Sequence, residues 1–488
     1  MRFAPQRRLY DVRYVERRQT AGVRTPGTGI AAKFPAATSR PQSLAPQHPS
    51  LPWLVPHQPA TFGVWKGERR MTWCVTELTC NHCGSSYPGV NLRTAEATWM
   101  VCPHCGPADG ILDIGYDHDR VHASWSASPL ASRPLNHWRY AELLPLESAA
   151  IRQDWPVGWT PVINAERLAQ HLGGKQILFK DEGRNPTASF KDRASSVGVA
   201  HALQVGAETI ACASTGNAGS SLAGHAALAG LPAFIFVPAT APEPKIAQLQ
   251  IFGATVFAVQ ASYDAAFDLC TKACHEFGWY NRNCAINPVL VEGKKTAGFE
   301  VAEQSIHFGG VPDWLAVSVG DGCTIAGIWK GLRQMHDLGV IDRLPRLLAV
   351  QAEHVNPIGY AVKHDALPKE SGGTTIADSI DVHLPRNWRK AVNAIRESEG
   401  LVVTATDEAI LDAVRLAGRY GMFAEPAAAA ALAGVVSAID AKEISPNERV
   451  LLMITGSGLK DTKNAIRAAG KPTQIEPSVA AVAQALKR

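Results

Sequence analysis

From about residue 176 onward, short β-branched runs alternate with longer Ala/Leu-rich stretches, and this alternation narrows the available folds more than any other feature. Candidate strands are Gln176–Glu182, Thr209–Thr215, Ala233–Pro238, Thr255–Gln260, Trp314–Gly320, Leu347–Glu353, Leu401–Thr406 and Val450–Thr455. Helix-like segments such as Ala218–Gly230, Tyr263–Phe277 and Asp407–Tyr420 lie between them. A strand–loop–helix unit repeated this often predicts an α/β fold, with parallel sheets flanked by helices. Such sheets bind ligands at the loops beyond the carboxyl ends of their strands. The unusual sequence of this chain falls at those loops.

The segment before residue 71 reads differently. Residues 1–70 carry ten Arg and two Lys against three acids, a balance of +9, while the whole chain stands at +4. The remainder is therefore mildly acidic, at −5, and offers no general nucleic-acid surface. Nine Pro and no sustained apolar period argue against a packed domain in 1–71. Three readings stay open for it: an Arg-rich transit segment, a disordered arm, or a leader preceding a true start at Met71. No apolar run reaches the roughly 18–20 residues of a membrane helix, and no secretory h-region is present. Ten cysteines without an export signal point to reduced thiols and a cytoplasmic protein.

Two copies of one turn follow, Cys80-Asn81-His82-Cys83-Gly84 and Cys102-Pro103-His104-Cys105-Gly106, with 18 residues between Cys83 and Cys102. Thiolates two residues apart can face one ion, and the Gly after each pair permits the tight turn. Cys80, Cys83, Cys102 and Cys105 thus predict a closed tetrahedral zinc site, structural rather than catalytic. A rubredoxin-like iron site and a vestigial site are the alternatives. A ribbon of this kind also serves non-enzymatic interaction proteins, so the module alone does not decide function.

The chemistry is carried further on. In Asn185-Pro186-Thr187-Ala188-Ser189-Phe190-Lys191-Asp192-Arg193 a strand runs into a turn and then a helix. Lys191 sits at that helix's start, where the positive dipole end lowers an ammonium pKa and leaves a nucleophilic amine. By itself such a lysine is usually a solvated charge. Three loops at predicted strand ends supply context. Ser214-Thr215-Gly216-Asn217 offers N–H groups and hydroxyls to a carboxylate, and an amide to a phenolic oxygen. Gly320-Asp321-Gly322-Cys323-Thr324 lets backbone N–H groups approach a phosphate. Thr455-Gly456-Ser457-Gly458 places a neutral hydroxyl at the last loop.

Together these stretches resemble the fold-type II pyridoxal-phosphate enzymes, most closely the threonine synthase family. Leu78 to Lys460 is covered, including Gly158-Trp159-Thr160-Pro161, Glu292-Gly293-Lys294-Lys295-Thr296 and Phe423-Ala424-Glu425-Pro426. The resemblance implies a two-domain fold with an N-terminal zinc ribbon: ribbon at 72–125, large domain at 126–199 and 316–475, small domain at 200–315, and a tail at 476–488. It implies pyridoxal 5'-phosphate as cofactor, with Lys191 as the Schiff-base lysine and Asn217 at the pyridoxal O3′. Gly320, Asp321, Gly322, Cys323 and Thr324 would form the phosphate loop, and Thr455 would face the pyridine nitrogen. Thr187, Ser214, Thr215, Gly216 and Lys245 are the expected substrate contacts. The family reaction converts O-phospho-L-homoserine and water to L-threonine and phosphate, in a homodimer acting on a small amino-acid substrate.

Two departures bear on the substrate. Where the family carries Ser-x-Asn-Pro-x-Arg, this chain has Ala285-Ile286-Asn287-Pro288-Val289-Leu290, losing a guanidinium that matches phosphate in shape and charge. Asp321 also stands in the phosphate loop, where its carboxylate must point away. Either Lys245 or Lys294 compensates, or the substrate bears another leaving group. The second case is a β-elimination or β-replacement enzyme of ammonia-lyase or cysteate synthase type.

Overall fold

The computed structural model describes residues 14–15, 73–94 and 100–486, apart from 153, 242 and 371. The expectations for residues 1–71 therefore lie outside the described residues, except at Tyr14–Val15.

The predicted alternation produces two parallel sheets. The larger has seven strands in the order Tyr14–Val15, Leu401–Ala405, Arg346–Ala352, Trp314–Ser318, Arg449–Ile454, Gln176–Asp181 and Val162–Asn164. All neighbours pair in parallel except the last, where Val162–Asn164 runs antiparallel to Gln176–Asp181. The smaller sheet is wholly parallel, ordered Tyr280–Asn281, Ile210–Ala213, Ala233–Pro238 and Thr255–Val259. All eight predicted strands are present. The three further strands of these two sheets have two or three residues each, too few to leave a hydrophobic period.

Continuous apolar runs became central strands because both sheet faces are covered. In Trp314–Ser318 all five residues are buried. Trp314 and Ala316 face one core with Leu348 and Val350, while Leu315 and Val317 face the other with Leu347 and Ala349. Five helices shape the region around the strand ends: α1 (Lys191–Gln204), α2 (Asn217–Ala229), α3 (Val289–Ser305), α4 (Cys323–Asp337) and α5 (Pro426–Asp440). In α5 the run Ala427–Ala431 is buried in the first of these cores, where small side chains bring the helix backbone close to the sheet. Helix α3 is buried almost throughout, and its Gly293 lies so near α1 that an added Cβ would meet the Arg193 carbonyl oxygen at 2.1 Å.

An antiparallel sheet of Ser86–Pro88, Val75–Cys80 and Leu112–Tyr116 precedes the catalytic body. Lys330 of α4 and Lys390 both reach its Asp113, at 2.9 and 3.0 Å, and donate to the Ile114 and Leu112 carbonyls. The predicted tail holds a short helix, Val479–Ala485. Among the described residues no helix is long and apolar enough to cross a membrane.

Candidate active site

Because strands within each sheet run parallel, their carboxyl ends deliver loops to a common edge. Four such loops open on one cavity of about 540 Å³. Lys191, Ser214–Ala218, Ser318–Ile325 and Thr455 line it, with Arg282, Cys284, Ala285 and Lys294 and a wall from Asp378 to Arg386.

Lys191 is the first residue of α1, and the chain on either side is tied away from the cavity. Phe190 N donates to the Thr455 carbonyl at 2.8 Å, and Ser457 N donates to the Ala188 carbonyl at 3.1 Å. Ala188 is held at φ 62, a strained position for a residue with a Cβ. Asp192 turns back: its carboxylate accepts from Thr187 N at 2.8 Å, Thr187 Oγ1 at 2.6 Å and Ser221 Oγ at 2.9 Å. Arg193 is buried among Glu182, Glu300 and Thr296, reaching the two carboxylates at 2.6–2.8 Å. Lys191 is thereby left to face the cavity. Burial, reinforced by the Lys294 ammonium, lowers its amine to about 8. These causes add to the helix dipole that sequence reasoning invoked.

The Gly320–Thr324 turn leads into α4, which starts at Cys323. Gly322 has φ +88, and a Cβ there would meet the Asn387 carbonyl oxygen at 2.9 Å. The turn lines the cavity and a helix begins within it, a setting that suits a phosphate. Ser318 Oγ, buried with no hydrogen-bond partner, stands just ahead of it. An aldehyde within reach of an uncharged amine, with a phosphate tail at a glycine turn, fits these residues.

Three expectations need correction, while the Asp321 carboxylate is tied back as the sequence required: Oδ1 accepts from Arg386 N at 2.8 Å and Oδ2 from the Cys323 thiol at 3.0 Å. Burial raises its pKa, which further reduces repulsion of an anion. Thr187 does not line the cavity, because its hydroxyl is spent on Asp192. Lys245 stands in an adjoining crevice, ion-paired with Asp378. Leu290 is fully buried against Gly198 of α1, so that position faces no ligand.

Other residues at the site were missed. Asn217, the first residue of α2, donates from Nδ2 to Glu425 Oε1 at 2.8 Å. Burial raises Glu425 to about 7. Its motif was visible in sequence, but its reach across the fold to Asn217 was not. Arg282 and Cys284 carried no local signal. Lys294, considered only as a compensating charge, lines the cavity beside Lys191, whereas Lys295 pairs with Glu292.

The four ribbon cysteines converge as expected. Their Sγ atoms all lie within 4.8 Å of one another. The Cys83–Cys102 and Cys80–Cys105 separations are 3.7 and 3.8 Å. Metal–sulfur bonds of about 2.3 Å in a tetrahedron require sulfurs about 3.8 Å apart. The donor set fits a thiolate-bound metal.

The family described as pyridoxal-phosphate dependent enzyme matches residues 155–456. The threonine synthase of Methanosarcina acetivorans is 37% identical over 413 residues, covering 84% of this chain and 98% of that protein. The threonine synthase of Mycobacterium tuberculosis is 37% identical over 349 residues, covering 69% and 92%. Among solved structures, a processed threonine deaminase from Solanum lycopersicum aligns with TM-score 0.55 at 20% identity, over 64% of this chain and 82% of its own. Maize serine racemase aligns with TM-score 0.54 at 20% identity, over 67% and 91%. These two share the fold. With the cavity, its amine and its glycine turn, the sequence relatives lead to one assignment: the chain belongs to the pyridoxal-phosphate dependent enzymes and, within them, to the threonine synthase family.

Proposed function

We propose that this enzyme converts O-phospho-L-homoserine and water to L-threonine and phosphate, with pyridoxal 5'-phosphate held by Lys191 and the 320–324 turn. The observation that carries the reading is that the depressed amine and the glycine turn line one cavity together with two buried cations, Arg282 and Lys294. Bound there, the cofactor supplies an electron sink for charge developing on the substrate's carbons. Net chemistry requires protons to leave Cα and Cβ, phosphate to leave Cγ, and water to add at Cβ.

This chain's residues account for the remaining demands. Lys191 Nζ, lowered to about 8, both accepts and donates protons near neutral pH. Thr455 offers the pyridine nitrogen a hydroxyl and no fixed charge. The resulting moderate sink suits eliminations, in which loss of a leaving group quickly relieves the carbanion. The 214–217 turn receives the substrate carboxylate on N–H groups at the start of α2. Asn217, positioned by its hydrogen bond to Glu425, would hold the cofactor's ring oxygen. Lys294 and Arg282 replace the charge that Leu290 cannot provide, so Lys294 takes the compensating role and Lys245 does not.

Zinc at Cys80, Cys83, Cys102 and Cys105 fastens the ribbon and takes no part in the chemistry. The protein acts in the cytoplasm as a homodimer. The test is direct: protein loaded with pyridoxal phosphate, mixed with O-phospho-L-homoserine, releases phosphate and threonine in equal amounts. A second reading rests on the aliphatic Ala285, which lines the cavity where the family carries Ser. Ammonia and a 2-oxo acid from serine-like substrates, without threonine from phospho-homoserine, would select it and overturn the first.

A further inference from the structure

Two cysteines meet at the cofactor cavity. Cys323 opens α4 within the 320–324 turn, while Cys284 lies in the loop before α3, and both line the cavity. Cys323 Sγ lies 3.9 Å from the Cys284 carbonyl oxygen and donates to Asp321 Oδ2 at 3.0 Å. Cys284 is partly accessible and receives the Arg282 guanidinium at 3.6 Å. Lys294 and Lys191 line the same cavity. The neighbouring Cys323 thiol, with Lys294 and Arg282 beside it, keeps the Cys284 thiol well below its usual range. Burial keeps Cys323 well above it. The pair therefore combines an attacking thiolate in an electropositive, open setting with a protonated thiol that can resolve the product.

We propose that Cys284 and Cys323 form a thiol-oxidation site whose reactant is a low-molecular-weight disulfide. The Cys284 thiolate attacks one sulfur of the reactant, forms a mixed disulfide and expels one small thiolate. Cys323 passes its proton to the Asp321 carboxylate, attacks the Cys284 sulfur and expels the second small thiolate. Two electrons leave the protein sulfurs and reduce one small disulfide to two thiols, and no other oxidant is needed. The new bond, about 2.05 Å long, draws the first residue of α4 toward Cys284. The 320–324 turn then no longer admits a phosphate, and a seated cofactor covers both sulfurs. Oxidation and cofactor occupancy exclude each other.

The test uses the full chain, stripped of cofactor or loaded with pyridoxal phosphate, incubated with oxidised glutathione and mapped by non-reducing peptide mass spectrometry. The stripped chain is expected to yield a peptide pair joined through Cys284 and Cys323, lighter by two hydrogens. Loading should slow its formation at least about tenfold. Cys284→Ser should leave Cys323 unmodified, and Cys323→Ser should stop at the glutathione adduct on Cys284. A stripped, unaltered chain that forms no Cys284–Cys323 link, or oxidises the buried Cys212 as fast, would overturn the site. Only the protection arm rests on the proposed seating of the phosphate. Linkage without protection would refute mutual exclusion, whereas failure of threonine synthesis would leave the linkage result standing.

Discussion

Replacing Lys294 with Met tests the electrostatic account of Lys191. Methionine keeps the length and apolar bulk of the buried side chain but removes the ammonium, the largest charge effect on Lys191 after burial itself. At pH 7 an amine of pKa about 8 is about 9% uncharged, against about 0.03% for an ordinary lysine near 10.5, a gain of roughly 300-fold in reactive form. The uncharged fraction rises with pH and levels off above the pKa, so capture of pyridoxal phosphate by the stripped chain should rise through a midpoint around pH 8 to a plateau above it. In Lys294→Met that midpoint should move upward, each unit slowing capture at pH 7 about tenfold. Stopped-flow absorbance follows the rate, and borohydride reduction with peptide mapping confirms attachment at Lys191. The midpoint decides, because weaker cofactor affinity alone lowers the plateau without shifting it. Lys294→Arg, which retains the charge, should keep the midpoint. A midpoint in Lys294→Met that is unchanged, or lower, would refute the reasoning.

Three further outcomes are expected. Glu300→Gln removes one of the two buried carboxylates that neutralise Lys180 and Arg193; it should cost about 3–5 kcal/mol, seen as a lower urea midpoint, and an unchanged midpoint would show the cluster to be solvated. Gly322→Ala forces a Cβ onto a φ of +88 beside the Asn387 carbonyl, so a strain of about 1–2 kcal/mol should accompany weaker phosphate binding. Equal pyridoxal-phosphate affinity in a fluorescence titration would contradict the role of that turn. Chelation of the ribbon metal should expose 75–116 to protease while the Lys191 adduct persists, since the closed four-sulfur site offers no open coordination position. Loss of the adduct at the same rate would place the metal in the active site's stability.

The strands, the loops that follow them and the paired cysteines were legible because each is a local pattern. Short spacings dictate a thiolate pair, a glycine turn or a helix start wherever the chain goes. Arg282 and Cys284 were silent, and the partner of Glu425 was hidden, because their roles exist only across the fold. Asn217 and Glu425 are 208 residues apart, yet share a hydrogen bond. Sequence read Thr187 as a ligand and Leu290 as a gap in phosphate binding. Packing turned Thr187 toward Asp192 and Leu290 toward Gly198.

The sequence by itself determined the α/β alternation, the lysine at a helix start, the glycine turn and the four-cysteine cluster, since hydrophobic period, turn chemistry and ligand spacing all act over a few residues. Only the tertiary structure decided which charges face the cavity, since desolvation and Coulomb interaction depend on distance in space. It is packing that lowers Lys191, raises Glu425, ties back Asp321 and brings Lys294 into the cavity wall.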